Sequence, residues 1–301
     1  MKGEPVYNLV RIMKYPWYKK LIPDSIILRL KFKKQMGYTL NLKNPKTFNE
    51  KLQWLKLYDR KSIYTTMVDK YAAKEYVASI IGKEYIIPTL GVWDRFDDIE
   101  FDSLPNQFVL KCTHDSGGIV ICRDKSQLNL IEAKEKIEKS LKSNFYWLGR
   151  EWPYKNVKPR ILVEQYMEDA KEKELRDYKF FCSNGKIGIV LVCTNRQIDL
   201  EETWLDEDFK LIDLREGGHK NRKDLVKPDN FQKMKEIARK LSLGIPHVRV
   251  DLYEINGEIF FGELTFFPSG GFERFDNEIW NKKLGDMIDL KMVRVDKKEQ
   301  H

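Results

Sequence analysis

Apolar and polar positions along the chain divide it into a helical first part and a strand-rich remainder. Thr47 and Glu50 form a T-x-x-E capping box, which predicts a helix over Phe48–Tyr58. The segment Val68–Ile81 has the spacing of a second helix. From Ile86 onward, short apolar runs of strand length replace this spacing. The predicted strands are Ile86–Trp93, Phe108–Thr113, Ile119–Cys122, Arg160–Tyr166, Tyr178–Cys182, Lys186–Cys193, Thr203–Ile212, Val248–Tyr253 and Glu258–Phe266.

Two tight turns indicate how the strands of the second half pair. Asn184-Gly185 and Asn256-Gly257 each lie between two predicted strands. Asn-Gly in this position is the strongest short-range signal of a β-hairpin. Further helices are predicted over Leu128–Leu141 and Phe231–Leu241, outside the hairpins. Helices that are segregated from antiparallel hairpins predict the α+β class.

Changes in the pattern of apolar and polar residues along the chain predict three regions. A helical N-terminal region covers residues 1–84, a first lobe with a glycine-rich loop covers 85–155, and a second lobe covers 156–301. The lobe boundary is placed near Trp152–Arg160, where aromatic, proline and basic residues replace the periodic pattern. A chain of 301 residues with 42% hydrophobic content is long and apolar enough to bury a core over nearly its whole length.

Net charge and the N-terminal sequence limit the possible partners and the cellular compartment. The net charge of +8 favours anionic partners, namely nucleotide phosphates, acidic polysaccharides, nucleic acid or anionic lipid, and charge alone does not choose among them. The longest apolar run near the start, Ser25–Leu30, is interrupted by Arg29, which argues against a spanning helix or a secretory segment. We therefore expect a cytoplasmic protein.

The first 34 residues are rich in basic residues. Residues 1–34 hold nine Lys/Arg against two Asp/Glu, interleaved with aromatic residues. Packing of this segment onto the body of the protein is the favoured interpretation, and peripheral contact with an anionic membrane at its inner face is the alternative.

The four cysteines lie in apolar runs without a C-x-x-C pair, so they are interpreted as small buried hydrophobic residues. They are Cys112, Cys122, Cys182 and Cys193.

Lys111 is the first candidate for chemistry. It stands inside an apolar strand, immediately before the loop His114-Asp-Ser-Gly-Gly118, whose glycines let backbone N–H groups approach an anion. A lysine in a half-buried strand needs a negative partner, which is either a protein carboxylate or a ligand phosphate. The surrounding residues match neither the P-loop nor the dinucleotide-binding pattern.

A second constellation lies on the last predicted hairpin. Strand alternation puts Arg249 and Asp251 on one face, and Glu263 and Thr265 on the same face of the partner strand. Two carboxylates opposed across strands repel unless a cation lies between them, and Mg²⁺ takes such oxygen ligands when it also holds phosphates. The alternative is a salt-bridge cluster with the arginine. The small residues of Pro268–Gly271, which follow, leave space for a ligand.

Taken in order, these motifs resemble the motif set of the ATP-grasp enzymes. The motifs are Lys111 with its Ser/Gly loop, Val163-Glu164-Gln165-Tyr166, Arg176-Asp177-Tyr178-Lys179-Phe180, Arg249-x-Asp251 and Glu263-x-Thr265-x-x-Pro268. Phe48–Trp54 and Glu263–Pro268 are also similar to the TupA-like branch, which is associated with polysaccharide and capsule biosynthesis. The resemblance covers about Thr47 to Gly271. It implies an α+β ATP-grasp fold, in which two lobes grip ATP, with a helical N-terminal region.

The resemblance also implies roles for single residues toward ATP. The residues that would bind the nucleotide are Lys111, Ser116, Gly117, Gly118, Glu164, Gln165, Tyr166, Asp177 and Lys179. The lysines would contact phosphates, and the Ser/Gly loop would form a flap over them. Glu164 would take the adenine amino group beside the backbone of the next two residues, and Asp177 would meet the ribose.

Magnesium and catalysis complete the implied site. Asp251, Glu263 and Thr265 match the metal ligands, although most of the superfamily has asparagine at the last position, so the second magnesium could be held more loosely. Arg249, together with Lys111, matches the catalytic cations that stabilise the acyl phosphate. His219 and Arg274 are two further candidates for substrate contacts, and a solvated loop histidine is the ordinary interpretation of the first.

The implied activity is that of an ATP-dependent carboxylate–amine ligase. It would act through an acyl phosphate, with ATP and Mg²⁺ as cofactors, and would add an amino acid or amine to an acidic surface polysaccharide or its precursor. The polysaccharide association leaves a glycosyltransferase as the alternative enzyme. A non-catalytic basic binding module on a grasp fold is the alternative of another class, and nucleic acid is not the expected partner.

Overall fold

The α+β class is confirmed. The computed structural model describes residues 21–171, 175–195, 199–215, 219–222 and 224–294. In these residues the α-helices are α1 (Asp24–Met36), α2 (Phe48–Tyr58), α3 (Ile63–Val68), α4 (Ala72–Ile81), α5 (Leu130–Leu141), α6 (Tyr146–Gly149), α7 (Phe231–Ser242) and α8 (Glu278–Met287). The strands are β1 (Thr89–Trp93), β2 (Phe108–Cys112), β3 (Ile119–Cys122), β4 (Ile161–Gln165), β5 (Arg176–Ser183), β6 (Lys186–Thr194), β7 (Glu201–Leu205), β8 (Val248–Ile255) and β9 (Glu258–Thr265).

The strands form two antiparallel sheets. The first has the order β1-β4-β2-β3, and the second has the order β7-β6-β5-β8-β9. Both predicted hairpins are present, and Asn184 and Gly185, like Asn256 and Gly257, have positive φ. Asparagine and glycine tolerate this left-handed conformation, which the two-residue turns of twisted hairpins require.

Each sheet uses one face for its own core. Phe108, Leu110 and Val163 of the first sheet pack with Ile137 of α5 in one buried cluster. In the second sheet Phe180 lies 5.8 Å from the ring of Phe231 on α7. Because side chains alternate along a strand, the residues between these apolar positions point to the opposite faces. Those faces carry the charged residues of the candidate site.

Helix α2 is held by its N-terminal cap and by contacts with helix α8. Its predicted capping box is present: Thr47 accepts a hydrogen bond from the backbone of Glu50, and the Glu50 side chain bonds back to the cap. The helix packs against α8, where Gly285 approaches the backbone around Thr47 so closely that a Cβ would clash. The backbone N–H of Asn49 donates to the side-chain oxygen of Asn281 on α8 at 3.3 Å. Helix α2 is therefore fixed to helix α8.

The predicted helix Val68–Ile81 corresponds to α4, which ends at Ile81 as predicted but begins four residues later. α3 ends at Val68, and α4 begins at Ala72. The carboxylate of Asp69 accepts from the backbone N–H groups of residues 71 and 72, which competes with helix continuation. The same carboxylate also binds Arg160 at 2.8 Å.

Two strand predictions differ from the observed strands by three residues or more at one end. The strand predicted over Thr203–Ile212 covers Glu201–Leu205, because Asp206 accepts backbone hydrogen bonds from Asp208 and Lys210 and so closes a turn. The strand predicted from Ile86 begins at Thr89, directly after Pro88. Proline lacks the N–H that a ladder needs.

Part of the basic N-terminal segment packs on the body, as the favoured interpretation held. Ile27, Leu28 and Phe32 of α1 are buried, the last two in a cluster with Leu40, Leu42 and Leu57. Residues 1–20 of the segment lie outside the described residues. Among the helices of the described residues, none has the length and apolar character needed to cross a membrane.

Candidate active site

A cavity of about 210 Å³ lies between the charged faces of the two sheets. Its lining contains four lysines and four carboxylates, drawn from both sheets and from the N-terminal helices. These are Lys70, Lys74, Lys111, Lys179, Glu164, Asp177, Asp251 and Glu263. Ser116 of the glycine loop also lines the cavity. The structure therefore brings together most of the residues that the sequence predicted for nucleotide and metal.

The first sheet contributes Lys111 and Glu164. Lys111 pairs across the sheet with Leu162, two residues before Glu164 on β4, so both charged side chains lie on the cavity face. The Lys111 ammonium lies 2.5 Å from Glu164 Oε2, and Lys74 binds the other carboxylate oxygen. Burial raises the pKa of Glu164, but the two lysines outweigh burial and hold that pKa below its usual value. The protein-carboxylate alternative for Lys111 is thus realised.

Lys70 and Lys74 were not among the predicted site residues. The break between α3 and α4 places Lys70 at the cavity, where its ammonium donates to the backbone oxygen of Asp115. Lys74 donates to the oxygen of Ile87 at 2.6 Å in addition to its pair with Glu164. Burial lowers the pKa of both lysines. Helical spacing gives no signal for this pair, because Lys70 lies before the helix that carries Lys74.

The second sheet contributes a row of alternating charges. Lys179 on β5 stands opposite Asp251 on β8, which stands opposite Glu263 on β9. The Lys179 ammonium lies 2.6 Å from Asp251 Oδ2 and 2.6 Å from Asp177 Oδ2. The ladder has a bulge between Asp251 and Leu252, where Gly262 is the extra residue of β9. A Cβ on Gly262 would come within 3.0 Å of the backbone oxygen of Asp251. Glycine thus lets the backbone pass and leaves Glu263 directed at the cavity.

Arg249 lies between the two predicted metal carboxylates. Its Nε and Nη2 each donate to Asp251 at 2.7 Å, and Nη2 also donates to Glu263 Oε1 at 3.2 Å and to Thr265 Oγ1 at 3.2 Å. The Thr265 hydroxyl donates to Glu263 Oε1 at 2.8 Å. Burial alone would lower the pKa of Arg249, but Asp251 and the other carboxylates raise it well above its usual value. The salt-bridge cluster, which was the alternative to a metal, is therefore present.

The two carboxylates differ in how well they fit magnesium. Both Asp251 oxygens are bound by cations, and the side chain is 2% exposed. The Glu263 side chain is 43% exposed and uses Oε1 for its contacts with Arg249 and Thr265. Within the described residues, no group of three or more acidic, histidine or cysteine side chains could hold a metal ion. Mg²⁺ fits this donor set in the form that keeps waters and takes one or two carboxylates beside substrate phosphates.

The glycine loop is held by Asp115. Its carboxylate accepts from the Gly118 N–H at 3.2 Å and from the Ser140 hydroxyl. A Cβ on Gly118 would collide with Cys112 and Ser140, whereas Gly117 has open space around it. Gly118 is therefore required by packing, and Gly117 is free to approach a ligand. Both still belong to the predicted flap, whose role stays a prediction.

Some predicted residues lie outside the cavity lining. Gln165 is exposed, and its backbone N–H donates to Pro88 at 3.0 Å. Tyr166 donates its hydroxyl to Glu168 at 2.7 Å. His219 is exposed, and Arg274 lines a separate cavity of about 420 Å³ beside Gln35. Thr265 and Arg249 adjoin the cavity through Glu263 and Asp251.

His247 lies buried behind this cluster and gives a pH prediction. Its ring packs edge-on against Phe48 at 4.9 Å, and burial together with Arg249 lowers its pKa from 6.5 to about 3. The unfolded chain therefore binds a proton between these values that the folded protein does not, and stability should fall as pH drops from 6.5 toward 3.

The measurement is the free energy of unfolding against pH for the parent and for His247→Gln. The variant should lose up to ~1.4 kcal/mol per pH unit of this dependence. His219→Gln, at an exposed histidine, is the matched control and should keep the parent's slope. Parallel curves for the His247 variant and the parent would show that His247 is not held neutral.

The chain matches a protein family and is similar to several solved structures. The family model described as TupA-like ATP-grasp matches residues 50–289. Among solved structures, the chain is similar to D-alanine-D-alanine ligase from Helicobacter pylori, with 13% identity, 80% of this chain and 69% of the ligase covered, and a TM-score of 0.42. D-alanine-D-alanine ligase from Bacillus anthracis, complexed with ATP, gives 15% identity, coverages of 74% and 63%, and a TM-score of 0.41.

A third solved structure is N5-carboxyaminoimidazole synthase from Aspergillus clavatus in complex with ADP. It gives 14% identity, coverages of 67% and 44%, and a TM-score of 0.38. The chain thus spans less than two thirds of the length of the Bacillus and Aspergillus proteins. No curated protein matches the chain.

Proposed function

The chain belongs to the TupA-like ATP-grasp family of ATP-dependent ligases, and we propose that it activates a carboxylate as an acyl phosphate and joins it to an amine. The observation that supports this reaction is the charged cavity. Four lysines and four carboxylates from both sheets converge on one volume of about 210 Å³. A structural salt-bridge network alone needs no cavity, whereas phosphate binding needs buried cations beside open space.

The lysines would hold the nucleotide phosphates. Lys111 and Lys74 share Glu164, and Lys179 is shared by Asp177 and Asp251, so each ammonium is already fixed in place. Fixed cations stabilise developing phosphoryl charge without a reorganisation cost at the moment of reaction. Lys70 approaches from the helical side and adds a fourth cation. The predicted adenine and ribose contacts of Glu164 and Asp177 would require these ion pairs to rearrange.

Magnesium would be held by Glu263, with Asp251 and the Thr265 hydroxyl beside it. When bound with ATP, the metal supplies charge neutralisation at the transferred phosphoryl group. Arg249 keeps the two carboxylates apart and orients them through its bonds to both. Its guanidinium would stabilise the negative oxygen that forms when an amine attacks the acyl phosphate.

The substrates are proposed from the family and from charge. An acidic surface polysaccharide or its precursor would supply the carboxylate, or the amine, in the cytoplasm. The net charge of +8 supports an anionic partner. Residues 85–155 and 156–301 would act as the two lobes, whose closure excludes water from the acyl phosphate.

Nucleotide-dependent stabilisation tests the proposal. ATP with magnesium should raise the unfolding temperature, because at a concentration 100 times Kd a ligand adds about 2.7 kcal/mol of stability. ATP without magnesium should raise it less. UDP-glucose, which a glycosyltransferase would bind, and RNA, which a basic binding module would bind, are the controls and should have no effect.

Phosphate release from ATP is then measured with a panel of amino acids and uronic acids, each with hydroxylamine as the amine. Formation of a hydroxamate from one carboxylate would support acyl phosphate chemistry. Stabilisation by UDP-glucose or RNA but not by ATP with magnesium would contradict the ligase.

A further inference from the structure

One face of helix α2 is directed at the loop that follows β9. Asn49, Gln53 and Lys56 are spaced at i, i+4 and i+7, which places their side chains on one side of a helix. Each of the three is 1% exposed or less. Fully buried polar side chains on a surface helix are unusual unless they have specific partners. Their partners are backbone carbonyl groups.

All three side chains donate to the loop Pro268–Gly271 or to the residues beside it. Asn49 Nδ2 donates to the Gly271 oxygen at 3.2 Å and to the Glu273 oxygen at 3.1 Å. Gln53 Nε2 donates to the oxygens of Gly271 at 2.7 Å and Gly270 at 3.3 Å. We call Asn49, Gln53 and Lys56 the loop clamp.

Lys56 also connects the loop to the first lobe. Its ammonium donates to the Gly270 oxygen at 2.5 Å and to the Gly149 oxygen at 2.8 Å. The rings of Phe267 and Phe272, which flank the loop, lie 5.5 Å and 5.0 Å from the same ammonium. Burial lowers the pKa of Lys56 to about 8, while the buried carboxylate of Glu151 raises it, so the buried charge depends on Glu151 together with the carbonyl and ring contacts.

The loop has a backbone conformation that needs such support. Ser269, Gly270 and Gly271 have φ of 47°, 62° and 72°, which places three consecutive residues in the left-handed region. A non-glycine residue there is strained. A Cβ on Gly271 would come within 2.5 Å of Gln53 Nε2, so the clamp also requires glycine at this position.

The clamped loop begins three residues after Thr265. The short connection means that the loop conformation sets where β9 ends, and β9 carries Glu263 and Thr265. Glu263 is held by Arg249 and Thr265 through Oε1, and its side chain is 43% exposed. Because Glu263 and Thr265 are both at the end of β9, their positions depend on the backbone there as well as on Arg249.

We propose that Asn49, Gln53 and Lys56 are positioning residues, which act through the loop Pro268–Gly271 to hold Glu263 and Thr265 in place for magnesium and to fix this edge to the first lobe at Gly149. The proposal rests on the proposed function, because it assigns the metal to Glu263. It makes helix α2 of the N-terminal region a part of the active-site apparatus. Residues that orient metal ligands typically change metal affinity when they are replaced.

The test uses Gln53→Met and Lys56→Met, which keep the side-chain length and remove the donors. The matched control is Lys51→Met: Lys51 is on the same helix and also donates to two backbone oxygens, of Gly285 at 2.7 Å and Ile288 at 2.8 Å, but these belong to α8 and the residue after it. Lys56→Arg keeps a donor and a positive charge and should restore part of the parent's behaviour.

Two readouts are compared. Hydrogen exchange of the peptide covering residues 266–273 should become faster in both methionine variants and stay at the parent's rate in Lys51→Met. Titration with ADP should show that affinity in the presence of magnesium falls by about tenfold in the two variants, while affinity without magnesium is unchanged.

The outcomes separate the possibilities. Unchanged exchange of the loop would overturn the clamp. An equal loss of affinity with and without magnesium would show that the helix supports the fold and not the metal site, which also overturns the positioning role. If the parent's affinity for ADP does not depend on magnesium, the proposed function fails and the positioning role fails with it. The exchange result then still shows whether the loop is clamped.

Discussion

Replacing Lys111 with methionine should abolish ATP turnover while the protein stays folded. The side chain is 20% exposed and faces the cavity, so methionine can occupy its place without a new clash. Glu164 keeps Lys74 as its partner, so no buried carboxylate is left alone. Removing one fixed cation from the developing phosphoryl charge costs about 3 kcal/mol or more, which is a loss of at least about 100-fold in rate.

The measurement is phosphate release from ATP in the presence of magnesium, with the unfolding temperature recorded in parallel. Lys139→Met is the matched control, since Lys139 is an exposed residue on the outer helix α5. It should retain the parent's rate. Turnover by the Lys111 variant at the parent's rate would show that the Lys111–Glu164 pair is only structural.

Replacing Asp251 with asparagine should give the largest loss of stability among the site residues. Asp251 is 1% exposed, and its two oxygens bind Arg249 and Lys179. Burial raises its pKa, but these two cations outweigh burial and hold the pKa below its usual value. The amide would leave two buried cations with one anion fewer, and breaking a buried pair in this way costs about 3–5 kcal/mol. Turnover should be lost as well, because Arg249 would no longer be oriented.

Urea unfolding at pH 7 measures this loss. Asp286→Asn is the matched control, because Asp286 forms an exposed pair with Lys282 at 2.7 Å on helix α8. Exposed helix pairs contribute about 0.3–0.5 kcal/mol, so the control should stay close to the parent. If the two asparagine variants lose equal stability, the network around Asp251 does not support the second lobe.

The acid dependence of Asp251 has a defined sign. Its folded-state pKa lies below the unfolded value, so its contribution to stability is present above the unfolded pKa and is lost as pH falls through the folded pKa. His247 acts in the same direction but over a higher range, from 6.5 down to about 3. The two groups together make the second lobe sensitive to acid.

Short-range patterns determined the frame of this protein. The Asn184-Gly185 and Asn256-Gly257 turns produced the predicted hairpins, and the Thr47/Glu50 box began α2 where the pattern placed it. These features depend on residues that are at most a few positions apart, so the sequence contains all the partners that decide them. The alternation along β8 and β9 likewise put the charged pairs on one face.

Tertiary contacts decided which charges meet. The sequence placed Arg249 beside two carboxylates but left a metal and a salt bridge as alternatives. The fold brings its guanidinium within 3.2 Å of both. Lys74 reaches Glu164, 90 positions later in the chain, only because the fold places the start of α4 beside the end of β4. Long-range pairs of this kind leave no periodic trace, and their energy depends on burial that only the folded chain creates.

The contacts of the loop clamp are a second case that the sequence alone does not reveal. The sequence identified Phe48–Trp54 and Pro268–Gly271 as separate motifs, more than 200 positions apart. Neither motif contains a signal for the other. The buried amide of Gln53 and the carbonyl groups of the left-handed loop residues become partners only when α2 lies against the loop. The sequence thus determined the local elements and the kinds of charge available. The packing of helix and sheets determined the site, since desolvation makes each buried polar group depend on a partner that the fold alone supplies.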